Sequence, residues 1–206
     1  YSSNGDRLRK QMPMGSQPNQ DANAAIRDAA VELLLQGEAL LNAVDDDQYA
    51  GIIEPAFRAS VGAHYRHCLE HFQLLLAGAS LGEVDYDGRQ RDRLIETDRF
   101  AAMNLTSDLI VLIKKLGDAA FDGAMIAVSR AGYTDEASPR LSSSFAREMV
   151  YAISHGVHHY ALIAVMARLA GIGLPENFGV APSTVACQLA KGRNEAAGVP
   201  LNAVAS

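Results

Sequence analysis

Apolar residues recur every three or four positions in four long stretches of the chain, which is the spacing of an amphipathic helix. In the first stretch, over residues 21–44, the apolar positions are Ile26, Ala29, Leu33, Leu34, Leu40, Leu41 and Val44. The same spacing predicts helices over residues 60–77, 91–120 and about 142–170. Helices of this kind bury their apolar faces against one another, so the predicted fold is an all-α four-helix bundle.

Polar residues and glycines mark the ends of these helices. The acidic run "DDDQ" at 45–48 is expected to end the first helix, because the helix dipole disfavours acids at a C-terminus. Ser60 is placed to cap the N-terminus of the second helix, and the serines at 142–144 offer a cap for the fourth. Gly171 and Gly173 are expected to end the fourth helix.

The segments between the helices predict different structures. Glycines and acids at residues 78–89 predict a loop, whereas the apolar and turn-rich residues 124–134 favour a short strand or hairpin. Residues 174–190 indicate an ordered C-terminal loop with one short helix. The predicted organisation is a disordered tail over 1–20, the helical domain over 21–190 and a C-terminal tail over 191–206.

The bundle interior is predicted from the positions that share the apolar faces of the helices. With 206 residues, 49% of them hydrophobic, the chain is long enough to form one domain with a sizeable core. The predicted core residues are Leu33, Leu41, Leu74, Leu75, Ile110, Leu112, Ile153 and Leu162.

The net charge of −6 argues against nucleic acid as a partner. The closest approach to a basic cluster, formed by Arg89, Arg91 and Arg93, alternates with acids and is a poor track for phosphates. The apolar run after His159 is interrupted by Arg168 before it is long enough to span a bilayer, so no membrane helix is expected. The expected partner is a small-molecule substrate, with a homodimer as a further option.

Cysteine usage and the N-terminus bear on the compartment. Cys68 and Cys187 are too few for a disulfide framework, so reduced thiols are the default expectation. The first twenty residues lack the apolar run of a signal peptide. We therefore expect a cytoplasmic protein.

All six histidines fall in two short windows, "AHYRHCLEH" at 63–71 and "SHGVHHY" at 154–160. A buried imidazole without a hydrogen-bond partner costs about 1–3 kcal/mol, so several on one helix need a compensating reason. On the second helix the histidines His64, His67 and His71 lie along one face at the spacing used by bundle interiors.

On the fourth helix His155 and His159 have the i, i+4 spacing that lets two imidazoles converge on one ion. One histidine from a facing helix would complete three nitrogen ligands and leave a coordination position open, as in catalytic sites. Neutral imidazoles suit Zn, Ni and Fe. His158 points about 100° away from His159 and is not expected to be a ligand.

The alternative interpretation is that these are core or surface histidines without a ligand role, which is the commoner case for a single histidine. The confinement of all six to two windows, both on predicted interior faces, favours a metal site instead.

The segments "SVGAHYRHCLEHF" at 60–72 and "SHGVHHYALIAVM" at 154–166 resemble the two metal-bearing helices of the DinB-like superfamily, which includes the YfiT type. The resemblance covers about residues 23–185. It implies a four-helix bundle that holds a divalent metal through three histidines. One ligand comes from the second helix, and two come from an HxxxH motif on the last bundle helix.

Carried over by position, the HxxxH motif implies that His155 and His159 are metal ligands. The upstream ligand of the family lies about seven residues after the serine or threonine that opens the second helix, which gives His67. His64 and His71 lie on the same face and remain alternatives to His67.

The resemblance implies a metal-dependent enzyme of one of two kinds. The first transfers a low-molecular-weight thiol whose thiolate the metal stabilises, and this is the preferred version. The second is a hydrolase that uses a metal-activated water, with Glu148 as the nearest carboxylate by helix geometry to serve as catalytic base. Glu148 can equally orient His155, or it can be an acid in the first turn of the helix, where the helix dipole stabilises negative charge. Further options are a metal or small-ligand binding protein without turnover and an interaction protein with an idle metal site.

Three further features near the histidines carry open expectations. Cys68 adjoins His67 and is a conceivable thiolate ligand, although a buried structural cysteine is commoner. Residues 84–99 and 178–184 look like those of uncharacterised members of the superfamily. The first of these segments follows the second helix directly, so it is expected either at the rim of the metal site or as a solvated, salt-bridged loop.

Overall fold

A computed structural model describes residues 17–54, 56, 58–133 and 138–196 of the chain. The long helices are α1 (Gln17–Ala43), α3 (Val61–Gly78), α5 (Arg99–Lys114) and α7 (Phe145–Leu169), and the others are α2 (Asp46–Ala50), α4 (Arg93–Thr97), α6 (Asp118–Phe121) and α8 (Pro182–Ala196). The strands are β1 (Ile52–Ile53), β2 (Ala59–Ser60), β3 (Glu83–Asp85), β4 (Ala124–Val128) and β5 (Arg140–Ser144).

The four long helices form the predicted bundle. Helix α3 packs most extensively against α7, and α1 packs against both α5 and α7. This confirms an all-α domain with short strand insertions, and it places the two histidine-bearing helices side by side. None of the helices in the described ranges is both long enough and apolar enough to cross a bilayer.

Both predicted N-caps are present on the histidine-bearing helices. The Ser60 hydroxyl accepts a hydrogen bond from the Ala63 N–H at 3.0 Å, and the Ser144 hydroxyl accepts one from the Arg147 N–H at 3.2 Å. Beyond the end of α7 the chain passes through Gly171 with a φ of 71°, a conformation that favours glycine. Local signals therefore mark the N-termini of both helices and the C-terminal end of α7.

The acidic run at 45–48 begins a helix as well as following one, which the prediction did not include. The Asp45 carboxylate accepts a hydrogen bond from the Gln48 N–H at 2.7 Å, and the Gln48 side chain accepts one from the Asp45 N–H at 3.0 Å. This reciprocal pair caps α2. Carboxylates are favourable at a helix N-terminus because they satisfy its free N–H groups.

The prediction of one continuous helix over 91–120 is wrong, because this segment divides into α4, α5 and α6. The Asp92 carboxylate accepts a hydrogen bond from the Leu94 N–H at 2.8 Å, and the Asp98 carboxylate accepts one from the Phe100 N–H at 2.8 Å. Each aspartate therefore starts a helix of its own. The apolar spacing continues across these breaks, and for that reason it does not reveal them.

The predicted strand or hairpin at 124–134 is present as β4, which pairs antiparallel with β5. Strand β3 adds to the other edge of β4 in the parallel direction, with Glu83 opposite Ile126. It lies inside the segment predicted as a loop, 78–89, so that prediction was incomplete. Parallel strands need a long crossover, which α4, α5 and α6 provide.

Helix α8 is longer than the short helix predicted within 174–190, because it runs for 15 residues to Ala196. Its described side chains are mostly exposed. The predicted N-terminal tail, 1–20, overlaps α1 from Gln17 onwards, and its residues 1–16 lie outside the described residues, as do 197–206 of the predicted C-terminal tail.

Most of the predicted core residues are buried or packed against the core. Leu33, Leu41, Leu75 and Ile110 are buried, Leu74 and Ile153 pack against the core while partly buried, and Leu162 is half-buried. Leu112 is wrong as a core residue, since it is 51% exposed. The inner face of α5 runs through Leu109 and Ile113, and Leu112 lies about 100° from Ile113 around the helix.

A group of buried hydroxyls lies in the middle of the bundle. The Tyr65 hydroxyl donates to Thr106 Oγ1 at 2.7 Å, because the Thr106 hydroxyl donates its own proton to the Ala102 carbonyl, also at 2.7 Å. Tyr160 stacks on Tyr65 with ring centroids 6.1 Å apart. Gly37 of α1 faces both tyrosine hydroxyls, and the absence of a side chain there leaves them room.

We expect Gly37→Ala to lower the free energy of unfolding by about 1–3 kcal/mol, the usual cost of overpacking a core. The added Cβ would overlap the Tyr65 hydroxyl and lie 2.5 Å from the Tyr160 hydroxyl, and neither ring is free to move because both are buried. Urea unfolding measures the change. Gly192→Ala is the matched control, since an added Cβ there meets no atom within 4 Å. Equal unfolding free energies for the two variants would contradict this packing.

A second prediction concerns Tyr49, which is fully buried and donates its hydroxyl to the Ile95 carbonyl at 2.7 Å. Burial raises the pKa of Tyr49 well above its usual value. Above about pH 10 the unfolded chain releases this proton and the folded chain keeps it, so the free energy of unfolding falls as pH rises. We expect the slope of that fall to be shallower in Tyr49→Phe by up to about 1.4 kcal/mol per pH unit. Urea unfolding at a series of alkaline pH values tests this, and an unchanged slope would refute it.

Candidate metal centre

The histidines lie where α3 faces α7. His64, His67 and His71 come from α3, and His155 and His159 come from α7, each half-buried or buried at the contact between the two helices. His158 is exposed at the edge of the group, as its position off the interior face predicts. The bundle therefore brings the two sequence windows into one cluster of imidazole rings.

Three of these histidines can hold a metal ion. One ligand nitrogen from each of His67, His155 and His159 lies within 4.8 Å of the other two. The Nε2 atoms of His67 and His155 are 2.8 Å apart. Among the described residues, the group with metal-binding geometry consists of the same three side chains that the sequence predicts as ligands. That they bind a metal stays a prediction.

All three imidazoles are held in the neutral form, the form that binds metals. Burial and the neighbouring imidazoles and Arg89 lower the pKa of His67 to about 2. Burial and neighbouring histidines also lower the pKa of His159 to about 3 and, together with Arg89, that of His155 to about 4. At neutral pH these rings carry no charge, so their nitrogen lone pairs are available to a cation.

The two alternative ligands contact the triad from its sides. His64 Nδ1 lies 2.9 Å from Nδ1 of His159, and His64 Nε2 is buried without a hydrogen-bond partner. His71 Nδ1 lies 2.8 Å from the His67 carbonyl oxygen, which can only accept, so His71 carries its proton on Nδ1 and has a lone pair on Nε2. The first contact suits a role in orienting the His159 ring, whereas the second fixes the His71 ring to the backbone of its own helix.

Cys68 does not join the group. It is a free cysteine, fully buried, and burial raises the pKa of its thiol well above the usual value. A protonated thiol is a poor metal ligand. Cys68 therefore matches the structural interpretation of a buried cysteine, and the second cysteine, Cys187, is exposed on α8.

Glu148, the predicted base or orienting residue, is buried and has both carboxylate oxygens engaged. Oε2 accepts a hydrogen bond from the Tyr86 hydroxyl at 3.0 Å, and Oε1 accepts one from the Ser143 hydroxyl at 2.5 Å. Tyr86 in turn stacks on His71 with ring centroids 5.1 Å apart. The carboxylate thus positions the tyrosine against the histidine cluster, and its hydrogen-bond partners among the described residues include no imidazole.

The segment 84–99 reaches the histidines through two side chains. Tyr86 stacks on His71, and the Arg89 guanidinium contacts Nδ1 of His67 and lies 3.5 Å from its Nε2. Arg89 Nε also donates to the Tyr86 carbonyl at 3.1 Å. The sequence indicated the position of this loop, because it directly follows the histidine-bearing helix. The sequence did not indicate which of its arginines approaches the site.

The segment 178–184 packs against α7. Phe178 stacks on Tyr160 with ring centroids 4.8 Å apart and an interplanar angle of 11°. Gly179 has a φ of 71°, and a Cβ there would lie 2.6 Å from the Tyr160 backbone. The predicted ordered loop therefore supports the helix turn that carries His159.

Comparisons with known proteins give limited matches. No family model matches the chain. FK506-binding protein 5 of Rhizopus delemar is 31% identical over 102 residues, which is 50% of this chain and 26% of that protein, so the match spans about a quarter of that relative's length. The crystal structure of a DinB-like protein, YjoA, from Bacillus subtilis aligns with a TM-score of 0.46 and 16% identity over 79% of this chain and 98% of that one.

We expect His155→Ala and His159→Ala each to abolish binding of a divalent metal while the bundle stays folded, because each removes one of three nitrogen donors and little buried apolar surface. Calorimetric titration with Zn²⁺ measures the binding, and circular dichroism checks the fold. His158→Ala is the matched control, because this exposed histidine precedes His159 in the sequence and its ring lies near the rings of both His155 and His159. A double variant of His155 and His159 that still binds one equivalent of metal would rule out the site.

Proposed function

We propose that this protein is a DinB-like metal protein that holds one divalent ion through His67, His155 and His159. The observation that carries the proposal is the convergence of three ligand nitrogens, from two adjacent helices, within 4.8 Å of one another. Burial keeps the rings neutral, so they offer lone pairs rather than positive charge.

The donor set narrows the choice of ion and its use. Three neutral imidazoles without a carboxylate in the group suit Zn, Ni or Fe rather than Mg or Ca. Three protein ligands also leave coordination positions for a molecule from solution, which is the arrangement of catalytic rather than structural sites. A divalent ion held there would act as a Lewis acid that promotes ionisation of a thiol or a water.

We further propose that the protein is an enzyme, with transfer of a low-molecular-weight thiol to a small-molecule substrate as its activity. Hydrolysis needs a positioned base, whereas an ionised thiol is itself the nucleophile and needs only to be held. Glu148 accepts hydrogen bonds from Tyr86 and Ser143, and from no imidazole among the described residues. This engagement favours the chemistry that does not use Glu148 as a base.

Hydrolysis is the second candidate, and one observation favours it. The Nδ1–H of His71 is directed to a backbone carbonyl, so Nε2 carries the lone pair, and burial lowers the pKa of this ring to about 4, which keeps the lone pair unprotonated at neutral pH. In this version His71, rather than Glu148, serves as the base. A binding protein without turnover would share the same three ligands and show neither activity.

The first measurement is elemental analysis of protein purified without chelators or metal-affinity resin, and we expect about one equivalent of metal per chain. The second is the absorption of the Co(II)-substituted protein titrated with low-molecular-weight thiols. A thiolate-to-metal charge-transfer band is expected for thiol transfer, and it should be absent in His155→Ala.

The outcome that moves the function to hydrolysis is the lack of a band with any thiol, together with metal-dependent cleavage of ester or amide substrates. Loss of that cleavage in His71→Phe but not in Glu148→Gln would assign the base to His71. Loss in Glu148→Gln alone would assign it to Glu148. Metal binding without a band or cleavage would indicate a binding protein.

A further inference from the structure

Arg89 brings a positive charge to the proposed metal site. Its side chain is half-buried, and its guanidinium contacts His67, a member of the triad. Within the described part of the chain, no carboxylate forms an ion pair with it. Burial lowers the pKa of Arg89, although the group stays charged at neutral pH.

The carboxylates close to Arg89 are engaged elsewhere. Glu70 pairs with Arg66 at 3.0 Å and accepts a hydrogen bond from the Asp92 N–H at 3.1 Å. Asp87 accepts a hydrogen bond from the Ser138 hydroxyl. The neighbouring acids therefore hold the loop in place and act on Arg89 from a distance, so the ion-pairing position of its guanidinium is not taken by a described carboxylate.

The hydrogen-bonding capacity of His67 leads to the same conclusion. A neutral imidazole has one nitrogen lone pair and one N–H. If the lone pair of His67 is used by an ion, the ring has no acceptor left for Arg89, which can only donate. A divalent ion and a guanidinium at such close range also repel each other unless an anion lies near both.

Space for such an anion is present beside Arg89. A pocket of about 190 Å³ lies between α3 and the loop that follows β3, and it is lined in part by Arg89, Gln73 and Gln90. Glu70 and Asp92 also line it, but Glu70 is paired with Arg66, and the Asp92 carboxylate accepts a hydrogen bond from the Leu94 N–H at the start of α4. Arg89 therefore belongs both to this pocket and to the surroundings of His67. The planar fork of a guanidinium matches a carboxylate through two parallel hydrogen bonds.

We propose that Arg89 is a substrate-binding residue that holds a carboxylate of the substrate or of its thiol partner beside the ion at His67. The inference rests on the proposed metal function and adds the chemical class of the ligand to it. Metal and carboxylate then bind with positive cooperativity, because each offsets the charge that opposes the other, and Arg89 is the source of that coupling.

The test is calorimetric titration of the full chain with Zn²⁺, in the presence and absence of acetate, with inorganic phosphate as the comparison anion. Acetate is expected to tighten Zn²⁺ binding by about tenfold in the wild type, a typical coupling between two ligands. In Arg89→Gln the coupling should disappear, and Zn²⁺ alone should bind more tightly than to the wild type. Arg89→Lys, which keeps the charge but not the fork, should retain part of the coupling. Arg93→Gln, at the exposed first residue of α4, is the matched control and is expected to behave as the wild type.

The outcomes separate this inference from the function on which it rests. A wild type that does not bind Zn²⁺ at all would overturn both. Zn²⁺ binding without an acetate effect, or with an equal acetate effect in Arg89→Gln, would overturn the role of Arg89 and leave the metal site standing. Coupling with phosphate but not with acetate would overturn the assignment to a carboxylate.

Discussion

The contact between α3 and α7 is the constraint on which the candidate site depends. It places histidines of both helices in one partly dehydrated volume, so each imidazole loses hydration and favours its neutral form. Burying such rings is unfavourable unless their nitrogen atoms have hydrogen-bond partners. Here the rings supply partners for one another only in part, since Nε2 of His64 is buried without one. Burial that would otherwise only destabilise the bundle therefore prepares nitrogen donors for a cation.

The rotation of α3 and of α7 about their own axes is determined by side chains that point into the bundle core, away from the histidines. Tyr65 and Tyr160 adjoin the histidines in sequence but point into the bundle, where they stack on each other. Their hydroxyls meet Thr106 of α5 and the space left by Gly37 of α1. A helix that turned by one position would remove these hydroxyls from their partners. The packing of the buried hydroxyls in the core therefore determines the direction in which the imidazoles point.

The sequence predicted the parts of this arrangement that depend on local spacing. Helical periodicity, the caps at Ser60 and Ser144 and the interval between His155 and His159 are all properties of residues close together in the chain. The continuous third helix was wrong because apolar spacing does not register an N-cap such as Asp98. Leu112 was wrong because it lies about 200° around the helix from Ile110, so the two cannot share an inner face. The contacts of Glu148 and Arg89 depend on β3 pairing with β4, and residues so far apart leave no common pattern in the sequence.

This long-range strand pairing also determines the electrostatics of the site. It brings Tyr86 against His71, and the Tyr86 hydroxyl donates a hydrogen bond to Glu148. The Glu148 carboxylate also accepts a hydrogen bond from Ser143. The same loop delivers Arg89 to His67 while Glu70 is held by Arg66. The carboxylates of Glu148 and Glu70 therefore lie in the surroundings of the site. The groups that face its centre are neutral imidazoles and the Arg89 guanidinium. With a divalent ion bound at the triad, a centre of this kind would repel a second cation and attract an anion. The proposed preference for a carboxylate ligand therefore depends on the hydrogen bonds and ion pairs that keep the protein's own carboxylates away from the centre.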